Sequence, residues 1–543
     1  MDALSRTHNV VRYLEAQAYS RPDTPALVEP VEGGDEEWTF GELKARADWM
    51  AAGLRAEGVR AGDRVIIMVP MSLRLYQVLL GVLEMGAVAV FADPWVGIRG
   101  LAAFSCYAQP VGFVGVPKSH VVRLFDGSLR TLPVTVTTGS RLWRIPARRC
   151  WEEVLRYEGP IRPYGNEPDD TALITFTSGS SGVPKGADRT HRFLAAQHEA
   201  LNGEFPYDGD DVDMPTFPVF SLNNLANGVT TVIPDLDFRR VADADGATIL
   251  EQMRTHEVTT STGSPPFFDR ICDALEAGAE SAGLRRILTG GAPVSDAQLR
   301  RWRRWMPETE IIVIYGSTEA EPVAHIDADE RLQLSKDDER SGFCVGSPVD
   351  AVEARIIEIT HGAVELDDAR WEEVEVEAGQ VGELVVRGEH VCDGYFRNPE
   401  ATAENKIVEA DGAIWHRMGD TGYVDDEGRF WLTGRVHSTI MRDGRAIQAQ
   451  VVEQIATGDE EGLNRVAAVG VADEELGERL VIVVEAAVES DDKAIEEAVR
   501  RRLQSAKQPV DDVVVRTQAI PVDPRHNSKV DYGALRGELA VEG

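Results

Sequence analysis

The chain has 543 residues, too many for one hydrophobic core, so two or three domains are expected. Its 43% apolar and 27% charged residues describe a globular protein and exclude disorder along the whole length. Asp and Glu number 91 against 56 Lys and Arg, and the resulting net charge of −35 argues against nucleic-acid or anionic-membrane partners; carboxylates spread along the chain point to a solvated acidic surface, with a dedicated basic partner as the alternative.

In chain order, the opening "MDALSRTHNVVRYLEAQ" lacks an apolar core followed by a cleavage site, so no secretory signal is expected. "TFGELKARADWMAAGLRAEG" reads as a helix and "DRVIIMVP" as a strand. The most apolar stretch, "LYQVLLGVLEMGAVAVFADP", is interrupted by Gln77, Glu84 and Asp93, which predicts helix, tight turn and strand instead of a membrane span. "DDTALIT" reads as a buried strand running into a Ser/Gly loop, and "TTVIP" and "EIIVIYG" are further strands between helical patterns. This alternation predicts a parallel or mixed sheet covered by helices. From about residue 380 the texture changes to short strands with Asp/Gly turns: "GELVVRGEHVCDGYF", "GYVDDEGRFWLTGR" and "HSTIMRDGRAIQAQ". After residue 435 a small α+β unit follows, with helix "DKAIEEAVRRRLQ" and strand "DVVVRT". Cys106, Cys150, Cys272, Cys344 and Cys392 show no CxxC spacing, so neither a disulfide framework nor a zinc site is expected, and a reducing cytoplasm fits.

The loop "TFTSGSSGVPKG" at 175 to 186 fails as a P-loop, because Pro184 precedes Lys185 and Gly186 follows it. The physics of phosphate binding remains. Gly179 and Gly182 let backbone N–H groups approach an anion, the hydroxyls of Thr177, Ser178, Ser180 and Ser181 can donate, and Lys185 neutralises charge.

The Pro-Lys-Gly ending resembles the phosphate loop of the adenylate-forming superfamily, which includes acyl-CoA synthetases, luciferases and peptide-synthetase adenylation domains. "LTGGAPVS" (288 to 295), "IYGSTEA" (314 to 320), "HRMGDTGYVDDEGRFWLTGR" (416 to 435) and a lone lysine in "PVDPRHNSKVDY" stand in the family order over nearly the whole chain. The resemblance implies an α/β fold: a large N-terminal domain of mixed β-sheets covered by helices, residues 1 to 434, and a small mobile α+β C-terminal domain, residues 435 to 543. It implies ATP and magnesium as cofactors and a small carboxylic acid as substrate. Gly290, Gly291 and Ala292 would line the adenine, Tyr315 would face the purine, and Gly316 and Ser317 would adjoin the nucleotide. Thr318 would donate to the α-phosphate and Glu319 would hold the magnesium. Asp420 would accept the ribose hydroxyls with Arg435 beside it, and Lys529 would bridge the substrate carboxylate and the α-phosphate.

Departures point to a branch. Phe220 and Ser221 stand where a histidine-bearing segment is common, and the hinge reads "GRVHS", with His437 and Ser438 replacing a Lys-Asp pair. Ala449 and Val451 replace a usual Pro and Glu. These changes fall where ligases deliver CoA. "FADPWVGIRGLAAF", "DMPTFPVFSLNNLANGVTTVIPDLD" and "PVDPRHNSK" are similar to the β-lactone synthetases of bacterial long-chain olefin biosynthesis. That likeness implies a β-hydroxy fatty acid whose own hydroxyl closes on the activated carboxyl, and other enzymes of a hydrocarbon pathway as partners. Acyl-CoA ligation and a non-catalytic nucleotide-binding module stay open as alternatives.

Overall fold

The computed structural model describes residues 8–91, 104–139, 147–157, 159–178, 184–337, 342–360, 362–366, 371–457, 463–487, 491–522 and 530–542. Among these residues the strands form three sheets. The first has seven strands in the order Arg149–Cys150, Val134–Thr137, Gly112–Gly115, Arg64–Met68, Val88–Phe91, Thr171–Ser178 and Pro184–Thr190. All its pairings are parallel except the last, an antiparallel hairpin.

The second sheet has fourteen strands. Its parallel half runs through Val212–Pro215, Thr260–Gly263, Arg286–Thr289 and Glu310–Ser317. It turns antiparallel at Ala320–Asp327 and continues through Phe343–Pro348, Phe430–Arg435, Ile414–Val424 and Gly382–Arg387. The third sheet has five strands, all between Ile440 and Arg516, and packs helices Ala449–Thr457 and Asp492–Ser505 around Ile440, Val452, Ile482 and Leu503.

Local chemistry explains why the helices lie where the pattern predicts. Phe40–Ala56 begins at a capping box in which Thr39 accepts the Glu42 N–H and the Glu42 carboxylate accepts the Thr39 N–H. Leu73–Glu84 is capped by Ser72 and is followed by Gly86 in the left-handed region (φ 78°), a tight turn that delivers the chain into Val88–Phe91. The polar interruptions of this apolar stretch are buried and paired. Gln77 Nε2 donates to Arg46 O (2.9 Å), and Lys44 Nζ bridges Asp48 (2.6 Å) and Glu84 (2.7 Å). Burial outweighs this pairing and pushes the Glu84 carboxyl above its ordinary range. Asp93 lies outside the described residues. No helix among the described residues is long and apolar enough to cross a membrane.

The region from 382 to 396 departs from the strand reading. Gly382–Arg387 is a strand, whereas residues beyond it make only isolated bridges, Val391 to Ala320 and Tyr395 to Ala187. The physical reason is divided pairing: one end of this short segment bonds the second sheet and the other bonds the first.

Candidate active site

The parallel strands of the second sheet end together, and their carboxyl ends carry the predicted nucleotide residues, the place where open α/β sheets bind ligands. Gly290, Gly291 and Ala292 follow Arg286–Thr289 directly. A Cβ on Gly290 would lie 2.6 Å from Ile314 O, so glycine lets this loop press against the neighbouring strand. Gly291 takes φ 78°, and a Cβ there would meet the Phe217 ring at 3.5 Å. Phe217 precedes helix Pro218–Asn227, on which Phe220 and Ser221 are buried.

Glu310–Ser317 and Ala320–Asp327 form a hairpin closed by the Ser317–Ala320 pair, which leaves Thr318 and Glu319 as its tip. Gly316 is required by this tightness, because its Cβ would come within 2.8 Å of Ala320 O. The Glu319 N–H donates to Ser317 Oγ (3.3 Å). Arg189, on the strand that carries Lys185, donates twice to Thr318 O, at 3.0 and 2.6 Å. From the other side the Cys392 N–H donates to Glu319 O (2.8 Å), and Tyr395 Oη donates to Glu319 Oε1 (2.9 Å). The tip is thus bonded from both flanks before any ligand arrives.

Lys185 sits on Pro184–Thr190, paired across the hairpin with Thr177, and is buried. Its ammonium lies 5.7 Å from the Tyr395 ring centroid and 3.9 Å from the exposed Glu404 carboxylate. Thr177 and Ser178 end strand Thr171–Ser178. Gly179, Ser180, Ser181 and Gly182 lie outside the described residues, as does Lys529.

Asp420 and Arg435 face each other across neighbouring strands. Arg435 Nε lies 2.6 Å from Asp420 Oδ1, and Tyr315 Oη donates to Asp420 Oδ2 (2.6 Å). Burial, reinforced by the Asp420 carboxylate, holds the Tyr315 phenol above its usual pKa and keeps it a donor. Asp420 and Tyr315 are buried, while the Arg435 side chain is 44% exposed. Residues 105 positions apart in sequence are thereby joined in one hydrogen-bonded group.

Sequence reasoning missed Arg189, Tyr395 and Lys406. Lys406, 3% exposed, donates to Cys392 O and lies 6.0 Å from the Tyr395 ring centroid, so the ring stands within reach of two ammonium groups. No local signal marks these residues, since the group to which each side chain donates lies at least 14 positions away along the chain.

A single carboxylate at the hairpin tip, Glu319, suits a divalent cation carried on the substrate's phosphates better than a resident metal. Among the described residues no group of three or more His, Cys, Asp or Glu side chains could hold a metal ion. Behind helix Pro218–Asn227 a cavity of about 60 Å³ is lined by Val11, Leu14, Leu80, Leu194, Val219 and Leu222.

Comparison with known proteins agrees with this geometry. The family model described as AMP-binding enzyme matches residues 14–396. The chain is 34% identical to an olefin beta-lactone synthetase of Stenotrophomonas maltophilia (strain K279a), covering 99% of this chain and 98% of that one. It is 27% identical to 4-coumarate–CoA ligase 3 of Oryza sativa subsp. japonica, over 79% of this chain and 74% of the ligase. The solved amide bond synthetase McbA of Marinactinospora thermotolerans shares the fold, with a TM-score of 0.78 at 23% identity, covering 97% of this chain and 99% of that one. A family model spanning most of the sequence and a relative 34% identical along nearly the full length of both chains lead to one conclusion: the chain belongs to the AMP-binding enzyme family, the adenylate-forming ligases.

Proposed function

We propose that the protein activates a β-hydroxy fatty acid with ATP and then closes it to a β-lactone. In the first step a carboxylate oxygen attacks the α-phosphorus, the bond to the bridging oxygen breaks, and pyrophosphate leaves. In the second the substrate's own β-hydroxyl oxygen attacks the acyl carbon, AMP departs with the electron pair, and the hydroxyl proton is released. The tethered nucleophile replaces a second substrate, a large entropic advantage. The observation that carries this reading is the 34% identity to an olefin beta-lactone synthetase along nearly the full length of both chains.

In this reading Lys185 and the hydroxyls of the Thr177–Gly182 loop hold the phosphates, and Thr318 contacts the α-phosphate. Glu319 meets magnesium on the triphosphate, and the ion would neutralise part of its charge. Asp420 receives the ribose hydroxyls, with Arg435 exchanging its present ion pair for contact with the nucleotide. Lys529 arrives on a C-terminal domain that begins at Arg435; the self-contained pairing of the third sheet supports that boundary.

The test is to incubate the protein with ATP, magnesium and a long-chain β-hydroxy acid, with and without CoA, and to identify the organic product by mass. A β-lactone whose yield is indifferent to CoA is expected. The likeness to a 4-coumarate–CoA ligase favours a second reading, acyl-CoA ligation; a thioester formed only with CoA, and no lactone, would establish it.

A further inference from the structure

The segment Val391–Phe396 touches both halves of the site. At its start Val391 bridges Ala320, and the Cys392 N–H holds Glu319 O (2.8 Å). At its end Tyr395 bridges Ala187, and the Phe396 N–H donates to Gly186 O (2.8 Å), one residue from Lys185. It therefore straps the strand of the phosphate-binding lysine, in the first sheet, to the Thr318–Glu319 tip, in the second.

The strap is itself pinned by a buried cation. Lys406 opens strand Lys406–Val408, opposite His416 on Ile414–Val424, and its ammonium donates to Cys392 O. Burial lowers the Lys406 pKa, and the nearby Glu319 carboxylate works against that shift. Burial and the adjoining Lys406 hold His416 well below the ordinary histidine range, so the imidazole is neutral and adds no further charge. With Lys406 and Lys185 at 6.0 and 5.7 Å from its centroid, the Tyr395 ring is fixed by cations as well as by packing. Its hydroxyl reaches Glu319 Oε1 at 2.9 Å in a charge-assisted hydrogen bond.

We propose that Tyr395 is a positioning residue for the Glu319 carboxylate: its hydroxyl fixes the carboxylate's rotation for nucleotide-borne Mg2+, while the strap pinned by Lys406 fixes the hydroxyl. A glutamate has three rotatable bonds, and ordering it in advance removes a cost that metal binding would otherwise carry. Hydrogen-bond partners of metal-binding carboxylates typically change metal affinity by about 10- to 100-fold. The inference rests on Glu319 being the metal ligand, and the experiment separates the two.

The affinity of α,β-methylene-ATP is measured by calorimetry for the wild type, Tyr395→Phe, Glu319→Gln and the double variant, once in Mg2+ and once in EDTA. The quantity read is the gain in affinity that Mg2+ confers. Tyr395→Phe keeps the ring and its cations and loses only the hydroxyl, so its affinity in EDTA should match the wild type while the Mg2+ gain falls by about tenfold. Glu319→Gln should lose at least as much, and the double variant no more than Glu319→Gln alone. A full Mg2+ gain in Tyr395→Phe beside a collapsed one in Glu319→Gln overturns the positioning role while leaving the metal ligand in place. A full gain in Glu319→Gln removes the metal reading and the inference with it. An equal loss with and without Mg2+ in Tyr395→Phe also overturns the proposal, because it marks the tyrosine as packing alone.

Discussion

Gly290 shows how little room the loop after strand Arg286–Thr289 leaves. A methyl group there would press to 2.6 Å from a backbone oxygen, Ile314 O, which cannot swing aside as a side chain would. Gly290→Ala is therefore expected to shift the two strands apart, costing roughly 1–3 kcal/mol of stability and weakening nucleotide binding. Thermal unfolding and titration with an ATP analogue check this, and an unchanged melting temperature with unchanged affinity refutes it. At this scale legibility followed locality. Gly290, Thr318, Glu319 and Asp420 sit in short stretches that single them out as candidates by their order along the chain. Arg189 and Tyr395 act on Thr318 and Glu319 from 129 and 76 residues away, and nothing in their own neighbourhoods announces it.

Helix Ala449–Thr457 belongs to the region where the sequence departs from the usual pattern of CoA ligases, and it holds a titratable group. Burial pushes the Glu453 carboxyl up to about 7, although its Oε1 accepts both the Ala468 N–H (2.9 Å) and Tyr532 Oη (2.8 Å). The folded chain thus holds this proton more tightly than the unfolded one. The stabilisation is complete below about pH 4.5 and is lost as pH rises through 7, at most about 3 kcal/mol from this group. Glu453→Gln retains an Oε1 for both donors and cannot ionise. Its melting temperature should equal that of the wild type at about pH 4 and exceed it at about pH 8; a difference that does not change with pH contradicts the assignment. Elements with strong local signals, such as Phe40–Ala56 with its capping box, were legible from sequence. The texture from 382 to 396 predicts short strands with Asp/Gly turns, but the partners of 388 to 396 divide between two sheets, and that division is a property of the tertiary structure.

At the scale of the whole molecule, the passage from the second sheet to the third is short and bonded. The Thr439 N–H and Oγ1 donate to Arg435 O (3.0 and 3.1 Å), Arg536 Nη2 donates to His437 O (3.2 Å), and Thr421 Oγ1 donates to Gln448 Oε1 (2.7 Å). If the unit beyond Arg435 reorients to deliver Lys529, the Thr421–Gln448 bond, which joins the two, must break during turnover, and limited proteolysis near Val436–Ser438 should change when nucleotide is added. Lys529→Ala should then slow pyrophosphate release by about a hundredfold while nucleotide affinity stays within a few-fold of wild type. Wild-type release by that variant, followed as phosphate after pyrophosphatase treatment, would take Lys529 out of the chemistry.

The strap from Val391 to Phe396 acts as a ruler between two separately woven sheets. Each sheet keeps its own register through its own ladders, and the lysine strand of one is tied to the Thr318–Glu319 tip of the other by this segment together with the two Arg189–Thr318 bonds. Val391 and Tyr395 are anchored to different sheets, so the gain or loss of one residue between them is expected to displace Tyr395 from Glu319 even with both cores intact. The length of this segment is thereby a constraint on the tip it holds, although the segment has almost no regular secondary structure.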